Sequence, residues 1–326
     1  MDRVYHVVNR RRAAAMVGGA VGSVYLARVG PAHASASIGV GGASRLPPLG
    51  GDFYVPPTNL AAVADIYSRM TVPIGVGAAG PFAFVVDTGA NQSVISEEIV
   101  TRLGLEIGPV EPLNGVAGME LAHTTIADLV IGDRVEAEVV MSILPARSIG
   151  GDGMLGLDRL EGRELTLDFR DKSLKIAVAR RTGDDPADVA VKAHRRDGQL
   201  VIIDAELAGI PLVAFLDSGA QNTIGNMALR ERAAFRSPGS HWVETTIISV
   251  TGQTIAAEMA NLPHLRIGGL KLPNWPVAFA DLHTFRMWNM IDKPTILIGV
   301  DILSRFESVC LDFTRDEVRF RSPASA

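Results

Sequence analysis

The 326-residue sequence has little of what several classes of protein depend on. It contains one cysteine, Cys310, whose apolar, strand-like surroundings predict a small buried side chain rather than a disulfide or a reactive thiol. The 31 basic residues are scattered and are outnumbered by 36 acidic ones, which argues against a nucleic-acid partner. The seven histidines form no metal-ligand motif, so we expect no metal and no cofactor; the group His264, Asp281 and His283 is interpreted as surface.

The sequence also lacks an apolar run long enough to span a membrane. Residues 1–36 instead combine three arginines at 10–12, a short Ala/Gly/Val segment and two small-x-small sites at 32–34 and 34–36. This pattern predicts an export signal, and its adjacent arginines resemble a twin-arginine signal. We expect an exported protein, periplasmic or secreted, without stable membrane insertion after signal cleavage. An uncleaved anchor or a misassigned start is the alternative.

Composition and repetition divide the rest of the chain into three parts. Residues 37–68 are rich in glycine and proline and predict a linker, or an arm that packs on the body. Residues 69–184 and 185–326 then show the same order of hairpins, apolar strands and short helices twice. Offsets between matching positions run from 130 to 144 residues, which indicates a tandem duplication. We therefore expect a mainly β protein with two pseudo-symmetric lobes, short helices and a central cleft.

Local patterns predict the helices and one unusual loop. Ser96, followed by two glutamates and by an apolar run that stops at Gly104, predicts a capped helix. Residues 226–235 predict the matching helix of the second half. Residues 283–294 are rich in aromatic residues and methionine, which fits either the lining of a substrate pocket or a loop packed between the lobes.

Two related stretches carry the chemistry: FAFVVDTGANQSVIS, which begins at Phe82, and VAFLDSGAQNTIGN, which begins at Val213. In each stretch an aspartate follows an apolar strand and precedes a hydroxylic residue and a glycine. One such motif alone is more often a structural turn. An isolated buried carboxylate is costly, whereas the symmetry of a duplicated chain would bring Asp87 and Asp217 together to share one proton. The ionised member could then take a proton from water while the protonated member polarises a carbonyl.

The residues that follow each aspartate suit this arrangement. Gly89 and Gly219 leave room beside the carboxylates and offer backbone N–H donors. The hydroxyl groups of Thr88 and Ser218 can form hydrogen bonds across the pseudo-twofold axis. These four residues are therefore expected to support the pair of aspartates.

The paired motifs resemble the aspartic protease superfamily over about residues 70–322. Each motif is followed by an apolar-Gly-apolar turn, at Leu155–Leu157 and Ile298–Val300, where glycine lets another backbone approach closely. The stretches MLGLDRL and ILIGVDIL are more similar to the retropepsin branch than to the pepsin branch, so the chain looks like two fused retropepsin units. The resemblance implies a peptide or protein substrate, a monomer that is an internal pseudo-dimer, and Asp87 and Asp217 as the catalytic dyad.

The resemblance also implies flaps, which are hairpins that close over the substrate. Two candidate hairpins, one in each half, have apolar strands about a glycine-containing tip. Their tip residues, expected to bind substrate, are Gly115, Val116, Gly118, Val250 and Gly252. A plain surface turn is the alternative interpretation of either hairpin.

The residue after each motif glycine bears on the pH dependence. Pepsin-like sequences usually have a hydroxylic residue there, whereas this chain has Ala90 and Ala220. Each alanine removes a donor that would favour the ionised carboxylate. We therefore expect raised pKa values in the dyad and a pH optimum nearer neutral than that of pepsin.

The sequence thus predicts an exported aspartic endopeptidase, with two alternatives. A non-catalytic peptide-binding or scaffolding protein on the same fold would keep the turns for structural reasons, although both intact aspartates favour an enzyme. A glycosidase also needs paired carboxylates. It does not need a symmetric Asp-Thr-Gly duplication, and an aromatic content of 6% argues against a platform for sugars.

Overall fold

The structure, a computed structural model, describes residues 20–21, 24–26, 58–64, 69–157, 163–178, 188–196, 199–267 and 270–323. Strands dominate these residues and the helices are few and short, which confirms the mainly β prediction. Within the described ranges, no helix has the length and apolar character needed to cross a membrane. The small-x-small sites of the predicted export signal and most of the predicted arm lie outside the described residues.

The described residues of the first half form thirteen strands and two helices. In chain order they are β1 (Ala20–Val21), β2 (Val24–Leu26), β3 (Thr58–Ala61), β4 (Val63–Ala64), β5 (Met70–Val76), β6 (Ala79–Val86), β7 (Val94–Ser96), α1 (Glu97–Leu103), β8 (Val110–Gly115), β9 (Met119–Ile131), β10 (Arg134–Leu144), α2 (Ala146–Ile149), β11 (Gly153–Leu155), β12 (Arg163–Asp168) and β13 (Ser173–Val178). The two short strands β3 and β4 lie at the end of the predicted arm, and they pair with β13 and β5 of the body.

The described residues of the second half form twelve strands and three helices. They are β14 (Asp188–Arg196), β15 (Gln199–Leu207), β16 (Ile210–Leu216), β17 (Ile224–Gly225), α3 (Met227–Arg236), β18 (Val243–Ser249), β19 (Thr254–Leu262), β20 (Leu265–Ile267), β21 (Leu270–Leu272), β22 (Trp275–Phe279), α4 (His283–Met287), β23 (Thr295–Ile298), α5 (Val300–Leu303), β24 (Ser308–Asp312) and β25 (Glu317–Arg321). The order of elements from β15 to β25 repeats the order from β5 to β13, with β20, β21 and α5 added.

Each lobe has the same arrangement of strands around its aspartate. In the first lobe β11 runs parallel to β6 and antiparallel to β7. In the second lobe β23 runs parallel to β16 and antiparallel to β17. The strands β6 and β16 are central in their sheets and their last three residues are buried on both faces, because every side chain there is apolar. Both aspartates therefore leave the sheet from a rigid, equivalent position.

A shared sheet of six antiparallel strands joins the two halves, in the order β3-β13-β12-β24-β25-β14. At its centre β12 of the first half pairs with β24 of the second half, with Leu165 opposite Leu311. Cys310 lies in this sheet and is 7% exposed, which confirms the prediction of a small buried side chain. Burial raises the pKa of the Cys310 thiol to about 12, so the thiol stays protonated and unreactive at neutral pH.

The helices that follow the two motif strands begin with different capping residues. In the first lobe the Ser96 side chain accepts one hydrogen bond, from Ile99 N at 3.2 Å, and Gly104 ends the helix in the left-handed conformation, as predicted. In the second lobe Asn226 takes the place of Ser96. The Asn226 Oδ1 atom accepts from Leu229 N at 2.9 Å, and its Nδ2 donates to the backbone oxygens of Met290 and Lys293. Asn226 therefore also fixes the loop that contains α4.

We predict that Asn226→Ala will destabilise the protein more than the matched change Ser96→Ala. Losing a single helix cap costs about 1 kcal/mol, which is the loss we expect for Ser96→Ala. Asn226→Ala also leaves buried backbone oxygens without a donor, so its cost should be on the order of 3 kcal/mol. Urea unfolding of both variants measures the difference; equal losses would contradict the role given to Asn226.

Candidate active site

Asp87 and Asp217 directly follow the last residues of β6 and β16, and both are fully buried. The Asp87 backbone N–H donates to Leu155 O at 3.0 Å, and the Asp217 N–H donates to Ile298 O at 2.9 Å. These two bonds are equivalent under the pseudo-twofold symmetry. Each aspartate is thus held by the apolar strand that precedes the glycine turn of its own lobe.

The two carboxyl groups lie against each other's loops. A methyl group added at Gly89 would lie 2.5 Å from Asp217 Cγ, and one added at Gly219 would be closer still to Asp87. Since no side chain fits in that space, glycine is required at both positions. The Gly89 N–H donates to Asp87 Oδ1 and the Gly219 N–H donates to Asp217 Oδ1, both at 2.8 Å. The structure therefore brings together the two aspartates that the sequence motif singled out.

Four hydrogen bonds join the two aspartate loops across the axis. The Thr88 hydroxyl donates to Leu216 O at 3.0 Å and accepts from Ser218 N at 2.9 Å. The Ser218 hydroxyl donates to Val86 O at 2.7 Å and accepts from Thr88 N at 3.1 Å. Both side chains are 1% exposed, so these bonds are shielded from water. The distance between the carboxyl groups is therefore fixed by the backbone of both lobes.

Burial raises the pKa of Asp217 well above its ordinary range. The negative charge of Asp87 and a hydrogen bond between the two carboxyl groups raise it further, whereas the N–H groups of Gly219 and Ala220 lower it. This environment favours a state in which Asp217 carries the proton that the pair shares.

The two glycine turns lie against the aspartate loops, as their sequence predicted. A methyl group at Gly156 would lie 2.8 Å from the backbone carbon of Gln92. One at Gly299 would lie 2.7 Å from the backbone carbon of Asn222. Glycine is thus needed at both turns because another backbone occupies the place of a side chain.

The two candidate flaps are hairpins, β8–β9 and β18–β19, and each places its tip in the opposite lobe. Val116 is fully buried in the apolar cluster of the second lobe, which includes Ala220 and Phe285. Val250 is fully buried in the apolar cluster of the first lobe, which includes Ala90. A plain surface turn would leave these valines in water, so this exchange favours the flap interpretation. Each tip valine thus shares a buried cluster with the alanine that follows the motif glycine of the opposite lobe.

The flap tips also contact each other. A methyl group at Gly115 would lie 3.1 Å from Ser249 Oγ, and one at Gly118 would lie 3.3 Å from Gln253 Oε1. Gly252 has φ +83°, a left-handed conformation that favours glycine at the turn. The five predicted flap residues therefore lie at one junction, where the two hairpins meet.

Sequence reasoning did not identify the contact between α4 and the first flap. The His283 N–H donates to Val116 O at 2.7 Å, and His283 Nε2 lies 3.3 Å from Asn114 Oδ1. Phe285 and Trp288 from the same segment pack in the cluster that receives Val116. The loop 283–294 thus packs between the lobes, one of the two interpretations that its composition allowed. The methionine and aromatic content of the loop was the available signal, but it did not name the flap as the partner.

Other kinds of site find no support in the described ranges. No group of three or more His, Cys, Asp or Glu side chains there could hold a metal ion. His264 is exposed and Asp281 accepts a hydrogen bond from Met227 N at the start of α3, so these residues serve the surface and a helix. The surface interpretation thus holds for His264, whereas Asp281 and His283 are half-buried and bind other elements of the fold.

We predict that Thr88→Val will destabilise the junction of the lobes, whereas Thr88→Ser will not. Valine has the shape of threonine but leaves Leu216 O and Ser218 N without their partner, at a cost on the order of 2–4 kcal/mol for two buried groups. Serine keeps both bonds. Urea unfolding of the two variants measures the effect, and a Thr88→Val protein as stable as Thr88→Ser would contradict it.

We also predict that Asp217→Asn will change the pH dependence of stability. Folding raises the pKa of Asp217 above its unfolded value of about 4. The stability that protonated Asp217 contributes is therefore fully present below about pH 4, and it is lost as the pH rises through the pKa of Asp217 in the folded protein. Asparagine stays neutral and keeps the acceptor oxygen. The variant should gain stability relative to the natural chain as the pH rises from about 4 to about 8. A constant difference in melting temperature over that range would contradict the raised pKa.

Comparison with family models identifies both lobes. Residues 73–162 match a model described as "gag-polyprotein putative aspartyl protease", and residues 203–302 match a model described as "Aspartyl protease". The two matches together cover more than half of the chain, and each includes one Asp-Thr/Ser-Gly motif. No curated protein matches the chain. The chain belongs to the aspartyl proteases of the retropepsin-like kind, with two protease lobes in tandem.

Proposed function

We propose that this chain is an active aspartic endopeptidase with Asp87 and Asp217 as its catalytic dyad. The observation that carries the proposal is the close approach of the two buried carboxyl groups, each beside the glycine of the opposite loop. A buried pair of this kind binds one proton and one water in a way that a lone carboxylate does not. The four hydrogen bonds of Thr88 and Ser218 support the role because they fix the geometry before substrate arrives.

The proposed mechanism assigns one role to each aspartate. Ionised Asp87 takes a proton from a water held between the carboxyl groups, and the water oxygen attacks the carbonyl carbon of the peptide bond. Protonated Asp217 donates a hydrogen bond to the carbonyl oxygen and stabilises the tetrahedral intermediate. The proton gained by Asp87 then passes to the peptide nitrogen as the C–N bond breaks, and the products are a carboxylic acid and an amine. The raised pKa of Asp217 supports this assignment.

The same environment supports activity nearer neutral pH than that of pepsin. The dyad works while Asp87 is ionised and Asp217 is protonated. Activity should therefore fall in acid as Asp87 gains a proton, and in alkali as Asp217 loses its proton. A raised pKa of Asp217 moves the alkaline limit upward. The side chain of Ala220 has no donor to oppose that shift, although the Ala220 N–H donates to Asp217 Oδ1 at 3.0 Å.

We further propose that the substrate is an extended peptide or protein segment and that a single chain suffices for activity. Both lobes, both aspartates and both flaps belong to one chain, which supports a monomer with internal pseudo-symmetry. The arginine-containing start of the sequence, with its short apolar segment and small-x-small sites, supports export to the periplasm or the outside of the cell.

We predict that Asp87→Asn and Asp217→Asn will each lower peptide cleavage by about 100-fold or more, because each removes one half of the acid–base pair. The measurement is incubation of residues 37–326, which lack the predicted export signal, with a mixed peptide library from about pH 3 to about pH 8, with products read by mass spectrometry. Asp171→Asn is the matched control, since this carboxylate is 74% exposed on a hairpin tip far from the dyad in the chain.

The outcomes separate the candidate functions. Cleavage by the natural chain and the control, lost in both dyad variants, supports the peptidase. Cleavage that survives in either dyad variant would overturn the assignment of the dyad. Folded protein that binds library peptides but cleaves none at any pH would instead favour the non-catalytic peptide-binding alternative.

A further inference from the structure

Two short strands near the start of the chain pair with the two flaps. Strand β1 runs parallel to the end of β8, with Ala20 opposite Asn114 and Val21 opposite Gly115. Strand β2 runs antiparallel to the end of β18, with Val24 opposite Ser249, Tyr25 opposite Ile248 and Leu26 opposite Ile247. A segment that the sequence assigned to an export signal, outside the folded body, thus adds a strand to each flap.

The directions of these pairings identify β1 and β2 as one extended path. A pseudo-twofold axis between the lobes makes the equivalent strands β8 and β18 run in opposite directions. A single segment that crosses both must therefore be parallel to one and antiparallel to the other, as observed. The segment runs toward the tip of the first flap at Gly115 and then away from the tip of the second flap at Ser249. Only two residues of sequence separate the strands, and the described residues 20–21 and 24–26 each pair near the tip of a different flap.

The chemistry of the segment matches that of the flap edges. Residues 20–26 read AVGSVYL and contain no charged side chain. Their partners on the flaps, from Asn114 to Gly115 and from Ile247 to Ser249, are uncharged as well. Addition of a strand supplies affinity through backbone hydrogen bonds, which any extended peptide can form. Because neither the segment nor the flap residues that pair with it are charged, we expect these flap edges to bind an uncharged, largely apolar peptide.

The flaps that hold the segment are those that cover the dyad loops. Val116 belongs to the same buried cluster as Ala220, and Val250 to the same cluster as Ala90. Each alanine comes one residue after the glycine that faces a carboxyl group. A peptide bound along both flap tips therefore occupies the region where a substrate strand would have to lie.

We propose that strands β1 and β2, residues 20–21 and 24–26, are an intramolecular ligand of the flap groove, which blocks peptide entry until the segment that contains them is removed. The proposal rests on the proposed function, because it names the occupant of that same cleft and a regulation of it. It also defines the preferred ligand as an extended, uncharged peptide of about seven residues, the length over which one strand spans both flaps. Cleavage at 32–36, as the export signal predicts, would release the segment and open the cleft.

The test measures amide hydrogen exchange in full-length Asp217→Asn protein, in which self-cleavage is prevented and catalysis is not needed. The double change Val24→Pro and Tyr25→Pro removes backbone donors from β2 and should raise exchange in the flap residues 110–119 and 243–254 by about tenfold. Ala13→Pro with Ala14→Pro is the matched control outside the paired segment. A synthetic AVGSVYL peptide should restore slow exchange to the proline variant, whereas the charged peptide AVKSVEL of the same length should not.

Disulfide trapping gives a second readout that keeps every backbone donor. Tyr25→Cys and Ile248→Cys, introduced with Cys310→Ala, put cysteines at directly opposed positions and should form a disulfide within the chain under mild oxidation. The control pair joins Tyr25→Cys with Phe235→Cys, at a side chain that is 85% exposed, and should not form one.

Unchanged flap exchange in the proline variant, together with no disulfide, would overturn the proposal. Amide exchange in β24 should be the same in all variants. If it rises in the proline variant, the proline substitutions have destabilised the whole protein, and the disulfide result alone then tests the proposal. These measurements report occupancy of the groove whether or not the natural chain proves to be a peptidase, so failure of one proposal can be told from failure of the other.

Discussion

Two buried carboxyl groups that lie side by side can coexist at neutral pH only if one of them keeps a proton. Asp87 and Asp217 are such a pair, and burial together with the charge of Asp87 raises the pKa of Asp217, which favours that condition. Glycine is required beside each carboxyl group, and the hydroxyl groups of Thr88 and Ser218 bind the backbone of the opposite loop. The repulsion between the aspartates is thus opposed by hydrogen bonds that neither lobe can form alone.

The tandem duplication connects this local requirement to the whole fold. Equivalent strands hold the aspartates by equivalent backbone hydrogen bonds, and a shared six-stranded sheet ties the halves together on one side. The exchanged flap tips tie them together on another side, because Val116 and Val250 are each buried in the opposite lobe. Movement of one of these hairpins would therefore expose apolar surface of the other lobe.

Much of this arrangement could be predicted from sequence, since the aspartates, the capped helix at Ser96 and the glycine turns depend on local residue order that the duplication shows twice. The destinations of Val116 and Val250 could not be predicted, because an apolar residue at a hairpin tip does not specify which distant cluster receives it. Asn226 both caps α3 and binds the loop that contains α4, and the second role could not be predicted for the same reason. Its partners in that loop are about 65 residues away in the sequence. The strands within residues 20–26 were missed because their composition fits an export signal equally well.

A carbon-13 NMR titration of the aspartate carboxyl carbons in the natural chain would show whether Asp87 and Asp217 share one proton. The single asparagine variants assign the signals of Asp87 and Asp217. We expect the Asp217 carboxyl to stay protonated near neutral pH, where ordinary aspartates with a pKa of about 4 are ionised, and Asp87 to be ionised beside it. Two dyad signals that titrate independently near pH 4, as ordinary aspartates do, would show that the two aspartates do not share a proton.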